Sequence, residues 1–418
     1  MDMKIGFARE DITPPLSIEL GGYAGYRPNQ GVHDSLHCKA VVLEQEGERY
    51  ALVALDLLCV DEPLYRHISE AVMEFGISPQ RLIVTAIHSH ASPLGVFPGE
   101  GILGELNCTD VKDRKAFRSY QNSVVSAAKA ACRTAIRGLE PFRVRTARGP
   151  VPAVGSERHT GEAAKGSLTV LHFRTESGRN LMVYSFPCHP TVLGSENLLV
   201  SADFTAGIQE QLDADLGVFL NGAAGDISTR FTRREATFDE CRRMGTIAAQ
   251  AIGECIRDAD FRTPEPLRGI HKTISLNTRK VETEEEALGR LLDAMIIWQK
   301  AITDGADPDK ERLLRSQVEG AGVNMEFARA LGAIRQLELP VTVFRFMGIS
   351  FAAIPGELFS TLLDEETVAI CYANGYYRYI ADRNAYDNGY YEALAAVLAR
   401  GEGEYLMEQV EKLLQELK

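Results

Sequence analysis

The chain has 418 residues, 45% hydrophobic and 25% charged, the balance of a globular protein rather than a disordered or fibrous one. Its formal net charge of -13 argues against nucleic acid and against an anionic membrane surface as partners. No interior apolar run approaches the roughly 20 residues of a membrane-spanning helix, so no transmembrane segment is expected.

In chain order, the opening MDMKIGFARE lacks a basic stretch followed by an apolar one, so no secretory leader is expected. Short runs rich in Val, Ile and Leu predict strands at Ala40–Leu43, Tyr50–Leu57, Leu82–Ile87, Leu168–Phe173, Leu181–Phe186 and Val218–Leu220. Between them, helices are predicted at Pro63–Phe75, Arg114–Arg137, Phe204–Leu212 and Asp239–Arg257. From about Glu282 to Leu337 the apolar spacing lengthens to about 3.6. That segment reads as two helices joined at Asp304-Gly305-Ala306-Asp307-Pro308, and it holds the single tryptophan, Trp298. It is either a hairpin packed on the outside of the sheet or a lid over a substrate entrance. Strand signals return at Val341–Phe346 and Ile349–Ile354, and an amphipathic helix closes the chain near Glu402–Leu417. The sequence shows no internal repeat. The alternation predicts an α/β fold: a layered mixed β-sheet core flanked by helices, with a helical hairpin insertion at about 282–337, in a single domain over 1–418. The eight cysteines include no CxxC pair and read as free thiols, so a reducing, cytoplasmic location is expected.

Four motifs carry chemistry. The run Leu82–Ile87 leads into His88-Ser89-His90; in extended backbone, residues i and i+2 face one side, so both imidazoles are expected to converge beyond the strand end. The run Leu181–Phe186 leads into Pro187-Cys188-His189-Pro190. Val218–Leu220 leads into Asn221-Gly222-Ala223-Ala224-Gly225-Asp226-Ile227-Ser228, a small-residue loop with no phosphate-cradle pattern and no GxSxG elbow. Near the C-terminus, Pro355-Gly356-Glu357 precedes a stretch with six tyrosines between Tyr376 and Tyr391. Each motif taken alone also fits a structural turn or an aromatic packing cluster.

Together, and in this order, the motifs resemble the neutral/alkaline non-lysosomal ceramidase family. Asp11-Ile12-Thr13-Pro14, Gly21-Gly22-Tyr23, Gly31-Val32-His33-Asp34 and Ser201-Ala202-Asp203-Phe204 join the four motifs in the resemblance, which runs over about residues 5–395. It implies a zinc amidase holding one Zn2+ per chain through His88, His189, Glu357 and Tyr379. It implies that His90 contacts substrate or the attacking water and shuttles a proton, and that Tyr391 and Arg158 donate to an oxyanion. Ser228 matches the family's Gly-Asp-x-Ser serine, which a zinc mechanism does not require. Asp203 is expected to orient His189, and His33 and Asp34 either line the pocket or form a turn. This sequence has Ser89, Ala91 and Ser92 in the family's His-Thr-His-Ser-Gly-Pro, Ala381-Asp382 in place of Thr-Thr, and Ser228-Thr229 in place of Ser-Pro. No counterpart of the family's additional C-terminal β-sandwich is expected here. The metal set is thus kept while the lipid-handling parts differ. The expected substrate is a small-molecule or lipid-like N-acyl amide. The alternatives are a zinc esterase, lactonase or phosphoesterase using the same site, a metal-free serine esterase using Ser228, and a non-catalytic metal-binding module. Homo-oligomerisation and a second metal near Asp56, Asp203 or Asp226 stay open.

Overall fold

Apolar and alternating runs of the first half assemble into one eight-stranded mixed sheet. The computed structural model describes residues 3–108, 111–331 and 334–417. Residues 1 and 2 of the N-terminal run and 332–333 of the hairpin segment lie outside the described residues. The strands are β1 (Met3–Asp11), β2 (His37–Gln45), β3 (Glu48–Leu55), β4 (Leu82–Ala86), β5 (Glu140–Gly149), β6 (Leu168–Thr175), β7 (Asn180–Phe186) and β8 (Leu216–Asn221). Their spatial order is β8-β7-β6-β5-β1-β2-β3-β4. Pairing is antiparallel except at the two ends, where β3 runs parallel to β4 and β7 to β8. Parallel neighbours need a crossover. It is supplied by α1 (Glu62–Val72) on one side and by α3 (Phe204–Gln211) on the other. The long helices α2 (Arg114–Arg137) and α4 (Phe238–Ile256) follow β4 and β8. On α2, Phe117, Tyr120, Val124, Ala128, Ala131 and Ala135 form a buried stripe at helical spacing.

A second sheet, in the order β9 (Arg268–Asn277), β10 (Gln336–Phe346), β11 (Ile349–Ala353), β12 (Thr367–Ile370), faces the first. Ile5, Phe7, Val183 and Leu220 of the large sheet share a buried cluster with Phe346, Phe351, Val368 and Ile370 of the small one. The hairpin, α5 (Glu284–Thr303) and α6 (Pro308–Ala330), connects β9 to β10, and α7 (Glu402–Glu416) packs on those same two strands. The layers are helix, sheet, sheet, helix: the mixed sheet flanked by helices is as the sequence predicts, and the second sheet is an addition to it. No helix among the described residues is long and apolar enough to cross a membrane. No disulfide joins any of the eight cysteines among the described residues.

The strands that long apolar runs do not reveal are β1, β5, β9 and β12. In β5, buried Phe142 and Val144 alternate with Arg143 and Arg145, the signature of an antiparallel strand with one wet face.

The large sheet curls until its edge strands meet. The Asn221 side-chain amide, at the end of β8, donates to the Ile87 carbonyl just past β4 at 3.0 Å. The segment after β12 lies between the two edges. The Cys371 amide donates to the Asn221 carbonyl, the Thr85 hydroxyl to the Cys371 carbonyl, and the Asn374 amide to the Val84 carbonyl. This closure brings segments from both halves of the chain to one point. The hairpin does not lie on the outside of the sheet: α6 packs against the short helices Tyr391–Leu394 and Gly104–Asn107.

Candidate metal centre

At that point three imidazoles converge. The coordinating nitrogens of His88, His90 and His189 lie within 4.8 Å of one another, the one such metal-capable group of three or more among the described residues. His88 and His189 are buried, and so is Glu357. The route to convergence differs from the extended-strand expectation. His88 has φ +69°, a left-handed conformation, and His90 sits in a turn. The chain kinks at the end of β4 and turns the two rings toward each other, with centroids 5.0 Å apart.

Backbone carbonyls fix the rings. His88 Nδ1 lies 2.7 Å from the Leu58 carbonyl and His189 Nδ1 lies 3.0 Å from the Ile227 carbonyl. A carbonyl only accepts, so both rings carry their proton on Nδ1 and present a bare Nε2 lone pair. Those lone pairs face the Glu357 carboxylate: Oε2 is 2.9 Å from His189 Nε2 and 3.4 Å from His88 Nε2. His90 Nε2 stands 3.3 Å from His88 Nε2, and His90 Nδ1 is buried without a partner among the described residues. Two imidazole lone pairs and a carboxylate pointed at one spot repel unless a cation lies among them. Imidazole nitrogen and carboxylate oxygen are the donors zinc takes in catalytic sites. The residues present therefore fit the ion that the resemblance implies.

The surrounding charges agree. Burial pushes the His189 imidazole down to about 4 and His90 well below its usual range, so both rings are neutral. Tyr376, which the sequence reading did not single out, donates its hydroxyl to Glu357 Oε1 at 2.6 Å. Tyr372, just before the tyrosine-rich stretch, stacks on His88 at 4.1 Å, its buried hydroxyl unpartnered among the described residues.

Tyr379 stands directly across from Glu357, because Glu357–Leu358 and Tyr379–Ile380 pair as two short parallel strands. Its hydroxyl accepts from Arg158 at 3.3 Å, and Arg158 is paired with Glu392 at 2.8 Å. Burial pushes the Arg158 guanidinium down, but Tyr379 and Glu392 more than offset this and hold it well above its normal value. His159 bridges Glu392 and Glu157 and stacks on Tyr390. Tyr391 lies edge-on to Tyr379, with centroids 6.0 Å apart, and burial pushes its phenol up to about 12, which keeps it a donor.

Ser228 contributes backbone. The short pair Ile227–Ser228 with Ser156–Glu157 aligns the strand leading to Arg158. Among the described residues the Ser228 hydroxyl accepts from the Arg230 amide at 3.4 Å, and no imidazole pairs with it, so it has no base to activate it. Asp203 does not orient His189. Its carboxylate accepts from the amides of Val192, Leu193 and Phe204, while the Ile227 carbonyl holds the histidine. Asp34 accepts from Ser201 and the Ala202 amide, and His33 stacks on Phe238, so the Gly31–Asp34 motif is structural. Asp56 is spent on Lys39, and Asp226 on Ser360. The Gly21-Gly22-Tyr23 motif acquires a reason: a Cβ at Gly22, φ +88°, would stand 2.4 Å from the His90 ring. Arg27, absent from the sequence reading, donates to the carbonyls of Gly21 and His90. Two cavities, of about 350 and 390 Å³, lie away from the histidines.

Residues 3–213 match the family described as neutral/alkaline non-lysosomal ceramidase, N-terminal. A crystal structure of neutral ceramidase from Pseudomonas aeruginosa superposes with a TM-score of 0.77 at 16% identity, covering 99% of this chain and 74% of that one. A structure of ceramidase complexed with C2 gives 0.75 at 16%, covering 99% and 75%. No curated protein matches the chain.

Proposed function

The chain belongs to the neutral/alkaline non-lysosomal ceramidase family, and from that premise we propose that it is a zinc-dependent amidohydrolase acting on an N-acyl, lipid-like amide. The carrying observation is the trio of bare acceptors, His88 Nε2, His189 Nε2 and the Glu357 carboxylate, gathered in a buried site around one point. His88, His189 and Glu357 would hold the ion, with Tyr379 across from Glu357 as a further donor. A bound zinc supplies a Lewis acid that brings a water's pKa from 15.7 toward about 7. His90, neutral and beside the cluster, takes a proton from the attacking water and delivers it to the leaving amine nitrogen. Tyr391, kept protonated by burial, donates to the oxyanion that forms on the carbonyl oxygen. Arg158 adds a fixed positive charge on the same side. Losing one such donor typically costs about 100- to 1000-fold in rate. Tyr376 holds the other oxygen of Glu357 and fixes which face of that carboxylate meets the cluster.

The test is elemental analysis of wild type beside His189→Ala, followed by a panel of N-acyl amides, esters, lactones and phosphoesters. About one zinc per chain, lost in the variant, with turnover confined to amides, is the expected result. Wild type that takes up no zinc sinks the proposal. Zinc with turnover of esters, lactones or phosphoesters alone replaces the amide in it.

A further inference from the structure

The hairpin helix α5 is apolar on two faces. Ala287, Leu291, Ala294, Trp298 and Ala301, at alternating spacings of four and three, are buried or half-buried and form the seam with α6. That seam is a coiled-coil stripe. A second stripe, Leu288, Leu292, Met295, Ile296 and Ile302, points away and is exposed, Ile296 at 65% and Leu292 at 50%. With Ile297 and Leu313 the hairpin holds as many exposed large hydrophobic side chains as all other described residues together. A contiguous apolar patch of this kind marks a contact surface.

Its place says which contact. Gly320 of α6 packs on Leu394, and Glu326 of α6 reaches Arg378 at 4.0 Å, so the hairpin forms the wall beside Tyr391 and the candidate site. Exposed Glu285, Asp293 and Asp304 outnumber exposed Lys300 along the stripe, while Arg290 is paired with Glu282. An anionic headgroup layer is repelled by such a rim. A two-fold contact between copies across the middle of α5 would set Asp293 near its own copy. We propose that the outer face of α5 docks on an uncharged or zwitterionic lipid–water interface and sets the site's mouth beside it. The choice of a lipid surface rests on the N-acyl amide reading above; the patch itself does not. An interfacial helix of this type is held by its buried apolar area.

Flotation of the full-length, zinc-supplemented chain with phosphatidylcholine vesicles tests this, beside the double variant Leu292→Glu, Ile296→Glu. Both positions are exposed, so the variant keeps its fold, checked by circular dichroism. Wild type is expected to float and the variant to lose at least tenfold in vesicle partitioning, with phosphatidylserine vesicles binding wild type more weakly. Hydrolysis of a water-soluble short-chain N-acyl amide is expected to be equal in both. Wild type that stays in the soluble fraction, or a variant that floats equally well, overturns the proposal. So does a wild-type dimer in sedimentation that the variant dissolves while neither floats, because the patch then serves a second copy. If flotation is lost in the variant but no amide is turned over by either protein, the docking surface is supported and the reaction assigned above fails.

Discussion

His88 sits at φ +69° in a conformation that costs a non-glycine residue about 1–3 kcal/mol. The Leu58 carbonyl on its ring and the Leu57 carbonyl on its amide hold it there. Its neighbour His90 depends on an absent atom. Gly22→Ala puts a methyl 2.4 Å from the imidazole at a φ that alanine resists. The variant is expected to keep about one zinc per chain, since His88, His189 and Glu357 are untouched, while kcat/KM falls about 100-fold or more with the loss of proton transfer. Unchanged kcat/KM would remove His90 from the chemistry. Glu392 acts through Arg158 instead. Burial raises its carboxyl, but Arg158 and His159 outweigh it and hold it at about 2. The native value thus lies below the roughly 4.3 of an unfolded glutamate. The sign follows: its stabilisation is present above about pH 4.3 and is lost as pH falls toward about 2. Glu392→Gln removes that increment and leaves Arg158 buried with less counter-charge, so a loss of about 3–5 kcal/mol is expected in urea melts at neutral pH. A difference from wild type that is the same at pH 7 and pH 3 would refute the assignment.

At the scale of elements, the two histidine-bearing strand ends are stapled by one side chain. Asn221 Oδ1 accepts from the Cys188 amide at 3.3 Å, and its Nδ2 donates to the Ile87 carbonyl at 3.0 Å. Neither histidine touches it, yet the spacing between them passes through it. Asn221→Ala is expected to weaken zinc binding about 10- to 100-fold, the usual cost of removing a group that orients metal ligands. Competition with a chromophoric chelator measures it, and unaltered affinity would show that the segments hold their spacing without the staple. Sequence pattern alone located β4, β7 and β8, because buried strands are written as continuous apolar runs, and it located the hairpin, because α5 and α6 are long and periodic. It could not supply β1, β5 or β9, whose wet faces carry Lys, Arg and Glu. Motif order brought His88, His90, His189, Glu357, Tyr379, Arg158 and Tyr391 to one list. What stayed illegible was distant pairing: no local pattern shows that the Ile227 carbonyl holds His189, that Tyr376 serves Glu357, or that Asp203 spends its carboxylate on three amides.

Across the whole molecule, the strand order β8-β7-β6-β5-β1-β2-β3-β4 reads as two runs spreading outward from the β1/β5 pair. Each run is three antiparallel strands, a crossover helix, a parallel strand and a long helix, a topological repeat with no trace in the sequence. The site draws unlike positions from the two runs: His88 follows the fourth strand of the first, and His189 the third strand of the second. Glu357 comes from the connection between β11 and β12 of the second sheet. A metal ion held by these groups ties together residues 88, 189 and 357, and so links both runs to the C-terminal part. Such a ligand stabilises the native state by RT ln(1 + [L]/Kd), about 2.7 kcal/mol at a hundredfold excess over Kd. Stripping the protein with a chelator is therefore expected to lower Tm by a few degrees, and zinc to restore it. His189→Ala is expected to melt at one temperature with or without zinc. Because the linkage runs through the site, any Tm shift in His189→Ala as large as that of wild type would mean that zinc acts elsewhere on the chain, and the clamp between the two runs would be lost with it.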